Sequence, residues 1–203
     1  MNIHSVTPRK PDLAQSLIDA AIALFAERTY EGTQMPAVAQ RAEVGVGSIY
    51  RYFPSKEALG NAAFQYAKQT LLGVLAAALA EGGPPRSTRE EFGRFWRGFT
   101  RYATDHPAAF AFLEHQQHDT FLAPASVATA AEIDRVAADF ITRGQQAGEI
   151  RAGEPCQLVA LAVGAFAGLV RHGRPGGLAA LGADDLDRAE AAVWDLLHRK
   201  AAP

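Results

Sequence analysis

Residues 33–56 read TQMPAVAQRAEVGVGSIYRYFPSK. Met35, Val38, Ala39 and Ala42 recur at helical spacing and predict a short helix over 34–42. Thr33 is its expected N-cap, and Pro36 is tolerated because it falls in the first turn. Gly45 and Gly47 then predict a tight turn. A further short helix follows over 46–53, with Ile49 and Phe53 facing inward at i, i+4. Val46, Gly47, Tyr50 and Arg51 fall on its opposite side. Pro54 stops this helix and Ser55 caps the next. Two short helices across a glycine-containing turn make a helix-turn-helix, whose second helix enters the major groove of DNA.

The rest of the chain extends this pattern. Upstream, Leu13, Leu17, Ala20, Ala21 and Leu24 set an amphipathic helix over 12–28, with Ile18, Ile22 and Phe25 widening its stripe. Downstream, a long helix is expected over 56–80. Further helices are expected over 88–105, 107–117, 124–147, 155–172 and 184–200. Pro107, Pro124 and Pro155 each stand where a first helical turn begins. About nine helices and no strand are expected: an all-α chain with a three-helix head over 9–60 and a helical body over 61–203.

Composition agrees. Alanine, the best helix former, fills 41 of the 203 positions. One cysteine excludes a disulfide scaffold and a cysteine zinc site, and fits a reducing, cytoplasmic setting. Met1–Pro11 has no apolar segment of a secretion signal, and the apolar run Leu158–Val170 is shorter than the ~20 residues a bilayer span needs. Net charge is −2, so bulk charge does not drive nucleic-acid binding. Within the first 66 residues, Arg9, Lys10, Arg28, Arg41, Arg51 and Lys56 are balanced by Asp12, Asp19, Glu27, Glu31, Glu43 and Glu57. Affinity for DNA must come from local placement of these groups.

That placement is favourable. Ser48 lies in the first turn of the second short helix, where a hydroxyl reaches a base edge or a phosphate. Gly45 and Gly47 clear bulk for backbone approach. Tyr50 and Tyr52 carry phenolic donors. Lys56 opens the next helix, where the backbone N–H groups also favour an anion. Arg9 and Lys10 precede the first helix, either as an ordinary disordered terminus or as an arm that reaches an adjacent minor groove.

Residues 17–59, LIDAAIALFAERTYEGTQMPAVAQRAEVGVGSIYRYFPSKEAL, resemble the N-terminal domain of TetR/AcrR-type transcriptional regulators. The resemblance implies that Thr33 and Gln34 lie near the DNA backbone. It implies that Val46, Gly47, Ser48 and Tyr50 face bases, and that Tyr50, Tyr52 and Lys56 meet phosphates, with Arg51 beside them. Three departures stand out. Glu43 replaces a turn glycine, which implies either a strained turn or another residue at the positive-φ position. Pro36 replaces an arginine of some relatives. Val46 replaces a polar residue, which suits a thymine methyl.

The resemblance also implies a homodimer built on the last two long helices. Leu161, Gly164 and Gly168 on one, and Leu186, Val193 and Leu197 on the other, are the interface candidates. It places an effector pocket in the body, with Phe95, Trp96, Phe99, Phe112, His115, His118 and Phe140 as candidates. The expected function is a regulator, most simply a repressor, released from a palindromic double-stranded operator by a small apolar effector. No enzymatic activity, cofactor, metal or membrane is expected. His115, His118 and Asp119 share one helix face; a metal site, ligand-orienting groups and a solvated helix end remain open for them. A helical ligand-binding or interaction protein without specific DNA binding is the alternative, and a metal-dependent enzyme at that cluster is a third reading.

Overall fold

A computed structural model of the chain describes residues 12–115, 120–172 and 177–199. Its α-helices are α1 (Leu13–Arg28), α2 (Met35–Arg41), α3 (Val46–Tyr52), α4 (Lys56–Ala80), α5 (Thr88–Asp105), α6 (Pro107–His115), α7 (Pro124–Gln146), α8 (Pro155–His172) and α9 (Ala183–Leu197), with a 3₁₀ turn at Gly177–Ala180. No strand occurs among the described residues, only an isolated bridge between Ile150 and His198.

Local chemistry sets most boundaries. Asp12 Oδ1 accepts from the N–H of Ala14, Ser55 Oγ from Ala58 and Ser87 Oγ from Glu90, so α1, α4 and α5 each begin at a side-chain cap. α6, α7 and α8 each open on proline, as the sequence predicts. Two boundaries differ from expectation. Gln34, not Thr33, is the N-cap of α2 and makes no side-chain capping bond. α9 ends at Leu197 because the next residues pair with the turn after α7: Arg151 N–H donates to Leu197 O and Arg199 N–H to Glu149 O, both at 2.9 Å.

The turn between α2 and α3 is a Schellman closure. Val44 N–H reaches Ala39 O at 2.9 Å and Glu43 N–H reaches Gln40 O at 3.1 Å. Glu43 holds the left-handed position, φ +57°, where glycine is the unstrained residue. Of the two readings the sequence allows, the strained turn is the one present.

α4 is the axis of the molecule. Leu59, Ala63, Phe64, Ala67, Leu71 and Leu75 are buried along it, and it packs against α1, α5, α6 and α7. Its last turn is held by Arg94, a buried cation on α5 that donates to the carbonyls of Leu79 and Gly83 and pairs with Glu90 at 2.8 Å. Three contacts dock α9 onto α5: Arg89 pairs with Glu190 at 2.6 Å, its guanidinium lies over the Trp194 ring, and Phe92 meets Trp194 at 5.4 Å.

Candidate nucleic-acid interface and cavity

The inward side of α3 is anchored by Ile49, fully buried, with Phe53 half-buried behind it. Burying these two forces the other side outward. Val46 and Tyr50 are 44% and 48% exposed, and Tyr52 and Arg51 are also exposed. These are large apolar and aromatic surfaces held in water on a seven-residue helix. No ion pair forms to Arg51 among the described residues. Ser48 is half-buried, and Gly45 and Gly47 have open space where a Cβ would stand, so backbone there can approach a flat partner. Gln34 is exposed at the start of α2.

Two predicted contacts sit differently. Thr33 is buried, and its hydroxyl donates to the carbonyls of Thr29, 2.8 Å, and Leu24, 3.3 Å. It closes the end of α1 and is not available to a phosphate. Lys56 is held against the head: Nζ donates to Glu31 O at 3.2 Å and sits 4.3 Å above the Tyr30 ring. Burial pulls its pKa below the ordinary lysine value, against an opposing pull from Glu31. One carbonyl uses one of its three donors, leaving two for an anion. Arg9 and Lys10 lie outside the described residues.

Tyr30 stacks on Phe121 with ring centroids 3.9 Å apart. The two rings lie so close to α4 that a Cβ at Gly60 would come within 2.8 Å of Tyr30. Beside them, Asn61 uses its whole amide. Nδ2 donates to Glu57 O and Phe121 O, while Oδ1 accepts from Ala123 N–H and Ser126 Oγ–H. Gln65 Nε2 donates to the same Ser126 oxygen at 3.1 Å. The start of α7 is thus bolted to the first turns of α4, directly behind the head. The sequence reading missed this joint.

The body holds a half-open cavity of about 70 Å³ between α5, α7, α8 and α9. Phe95, Trp96, Phe99 and Phe140 line it as expected. Phe92, another aromatic residue of α5, joins them, and Ile141, Ala162 and Phe166, which sequence reasoning did not single out, complete much of the wall. Phe112 does not reach it: α6 packs on α1, and Phe112 is fully buried there, 5.5 Å from the Phe25 ring. Val193 and Leu197, expected on a dimer surface, are buried and line the cavity, because α9 turns its apolar stripe toward α5. Leu186 is half-buried. The side chain of His115, and His118 and Asp119 altogether, lie outside the described residues. Among the described residues no group of three His, Cys, Asp or Glu side chains could hold a metal, and no helix is long and apolar enough to cross a membrane.

α8 is not covered on every side, although Leu158–Val170 is apolar throughout. Ala160, Leu161, Gly164 and Ala165 are exposed along one face, Leu161 by 54%. A Cβ added at Gly164 or Gly168 would meet nothing within 4 Å.

Residues 17–63 match the family model described as bacterial regulatory proteins, tetR family, and residues 69–198 match the tetracyclin repressor-like C-terminal domain. The chain belongs to the TetR family. As a TetR-family protein it is a DNA-binding transcriptional regulator, in a family of regulators and not of enzymes. It is 58% identical over 40 residues to the HTH-type transcriptional repressor KstR of Rhodococcus jostii, a match spanning 20% of this chain and 19% of that protein. Two solved structures share the regulator's fold. A TetR family transcription regulator from Marinobacter aquaeolei VT8 is 18% identical with a TM-score of 0.75, covering 93% of this chain and 96% of that one. AibR, in complex with isovaleryl coenzyme A and operator DNA, is 16% identical with a TM-score of 0.74, covering 92% and 98%.

Proposed function

We propose that this TetR-family regulator is a cytoplasmic, homodimeric repressor that reads a palindromic operator and leaves it when a small, mostly apolar effector enters the body. The observation that carries the reading is the outward display of Val46, Tyr50 and Arg51 on a helix whose other side is locked by Ile49. Val46 suits a thymine methyl, and Tyr50 a base edge or phosphate. Arg51 and the two remaining Lys56 donors suit phosphates. AibR, captured in complex with both isovaleryl coenzyme A and operator DNA, supports an effector-responsive reading of the shared fold.

The dimer rests on the open face of α8. Leu161, Gly164 and Gly168 offer a small-residue surface on which a second copy's helices can approach closely. The exposed side of α9 adds Ala191, Ala192 and Asp195 in place of Val193 and Leu197.

Release follows from the joint at Asn61. The cavity is smaller than the ~300–1,000 Å³ of drug-sized ligand sites, so a large occupant must push its walls apart. One wall is α7, through Ala137, Phe140 and Ile141. The start of α7 is fastened to α4 by Asn61 and, through Phe121 and Tyr30, sits against Lys56. Displacing α7 therefore shifts the two heads relative to the half-site spacing. Effector and operator must then weaken each other by the same factor.

Selection from a random DNA duplex pool, read by sequencing at two salt concentrations, tests this. An enriched palindrome with half-sites about one helical turn apart, or a multiple of it, is expected. Salt-sensitive binding without enrichment would leave a helical ligand-binding protein as the better reading.

A further inference from the structure

The wall of the cavity decides which end of an occupant can enter it; the inference rests on the reading of that cavity as the effector site. Every described residue lining it is aliphatic or aromatic. The one side-chain nitrogen among them, Trp96 Nε1, is buried and offers almost no surface to the space. The backbone polar groups behind the wall belong to α5, α7, α8 and α9 and are engaged within those helices. The rings also cover one another. Trp96 meets Phe166 edge-on at 5.1 Å, and Phe95 meets Phe140 tilted by 59° at 5.2 Å. Such contacts set the edge of one ring against the face of the next, so these faces are not left free to cage a cation. Size adds a second limit. An apolar cavity of about 150 Å³ encloses benzene. The space here is about 70 Å³ and half-open, so it takes only part of a molecule.

We infer that the effector is an amphiphile that enters by a hydrocarbon end, free of hydrogen-bonding atoms and of charge, and keeps its polar end at the mouth. A hydroxyl or carbonyl carried inside would lose its water and meet no partner. A carboxylate or ammonium would lose more, since the wall holds no opposite charge. A hydrocarbon end loses nothing there and gains burial against rings and branched side chains. The polar end stays hydrated because the space is open on one side.

NMR titration of the full chain with two matched pairs of probes tests the orientation and the charge. The readout is the ring resonances of Trp96, one of two tryptophans, identified by their loss in Trp96→Phe. 1,2-Octanediol and 1,8-octanediol are isomers. The first keeps one hydrocarbon end, whereas the second carries a hydroxyl at both. 3,3-Dimethyl-1-butanol and choline share a shape, with a tert-butyl end in one and a trimethylammonium end in the other. 1,2-Octanediol is expected to bind at least tenfold more tightly than 1,8-octanediol, and dimethylbutanol at least tenfold more tightly than choline. Ala162→Phe, which narrows the cavity, should weaken 1,2-octanediol and dimethylbutanol at least tenfold. The wild-type ratios decide the class of the occupant without any variant.

Equal binding of the two octanediols, with Trp96 shifted by both, overturns the hydrocarbon-end inference and leaves the cavity as the effector site. Choline binding as tightly as dimethylbutanol overturns the inference in the same way, in favour of a cationic end. No shift of Trp96 with any of the four probes overturns both the inference and the effector-site reading. Wild-type affinity of 1,2-octanediol for folded Ala162→Phe would place the site elsewhere and also overturn both.

Discussion

Ser126 donates its hydroxyl proton to Asn61 Oδ1 across 2.7 Å, although the two residues stand 65 positions apart. Ser126 is fully buried, so this bond is made away from bulk water. It joins the helix that walls the cavity to the helix that carries the head. Asn61→Leu removes all four of its amide bonds and leaves the Ala123 N–H and the Ser126 hydroxyl without their acceptor. A loss of about 2–4 kcal/mol in urea unfolding is expected, since each buried orphan costs about 1–3 kcal/mol. Operator affinity without effector should change little, whereas its loss on adding effector should shrink. A variant with wild-type stability and wild-type release would show that the joint couples nothing.

Glu43 occupies a left-handed position at the α2–α3 turn. Glycine there removes the Cβ clash at the cost of a freer unfolded chain. Glu43→Gly is expected to stabilise the regulator by about 0.5–1 kcal/mol and raise Tm by a few degrees. A lower Tm would mean that the side chain makes a contact outweighing the strain.

At the DNA surface, Arg51→Ala and Tyr50→Ala should separate two kinds of contact. Arg51→Ala should weaken binding to every sequence and lower the slope of log affinity against log salt by about one. Tyr50→Ala should change which sequences are selected, with about 1–3 kcal/mol lost on the preferred site. Unchanged selection and affinity for Tyr50→Ala would remove α3 from the groove.

Gly164→Leu with Gly168→Leu tests the open face of α8. In the single chain a Cβ at either position meets nothing within 4 Å, so secondary structure should be kept. Sedimentation should nonetheless show the dimer weakened by at least tenfold. An intact dimer would move the interface away from α8.

Glu114 on α6 carries a carboxyl that burial pushes above the ordinary range, opposed by Lys68 and Arg171. In the folded state it therefore holds its proton more tightly than in the unfolded chain. Its contribution to stability is full below the unfolded pKa and is lost as pH rises through the folded one. Glu114→Gln should therefore leave stability near pH 4 almost unchanged and raise it at pH 7. Denaturant midpoints at the two pH values check the sign; a midpoint lowered at pH 7 would mean that the charged form is the stabilising one.

What the sequence disclosed was local. Ser55 at the head of α4 and the three prolines opening α6, α7 and α8 act within one helical turn, and their reading needs no partner. Ile49 and Tyr50 sort by helical period alone. Thr33 misled because a threonine before α2 has the chemistry of an N-cap; packing against α1 gave its hydroxyl the carbonyls of Leu24 and Thr29. Phe112 and Phe95 look alike in sequence, and only the docking of α6 on α1 and of α5 beside α8 sends one to the core and the other to the cavity. The apolar stripe of α9 was legible; that it faces α5 in the same chain was not, since hydrophobic spacing does not say which neighbour covers it. Asn61 gave no sign, because its partners lie at Phe121, Ala123 and Ser126.

Arg94 gives α4 a mechanical character. By gripping the carbonyls of Leu79 and Gly83, it makes the far end of that helix a fulcrum. The 25 residues of α4 then form an arm of about 37 Å at 1.5 Å per residue. A tilt of about five degrees at the fulcrum carries the reading end about 3 Å, roughly the length of a hydrogen bond. The α7 joint at Asn61 lies about 27 Å from that fulcrum, so a shift of about 2 Å applied there becomes about 3 Å at the reading end.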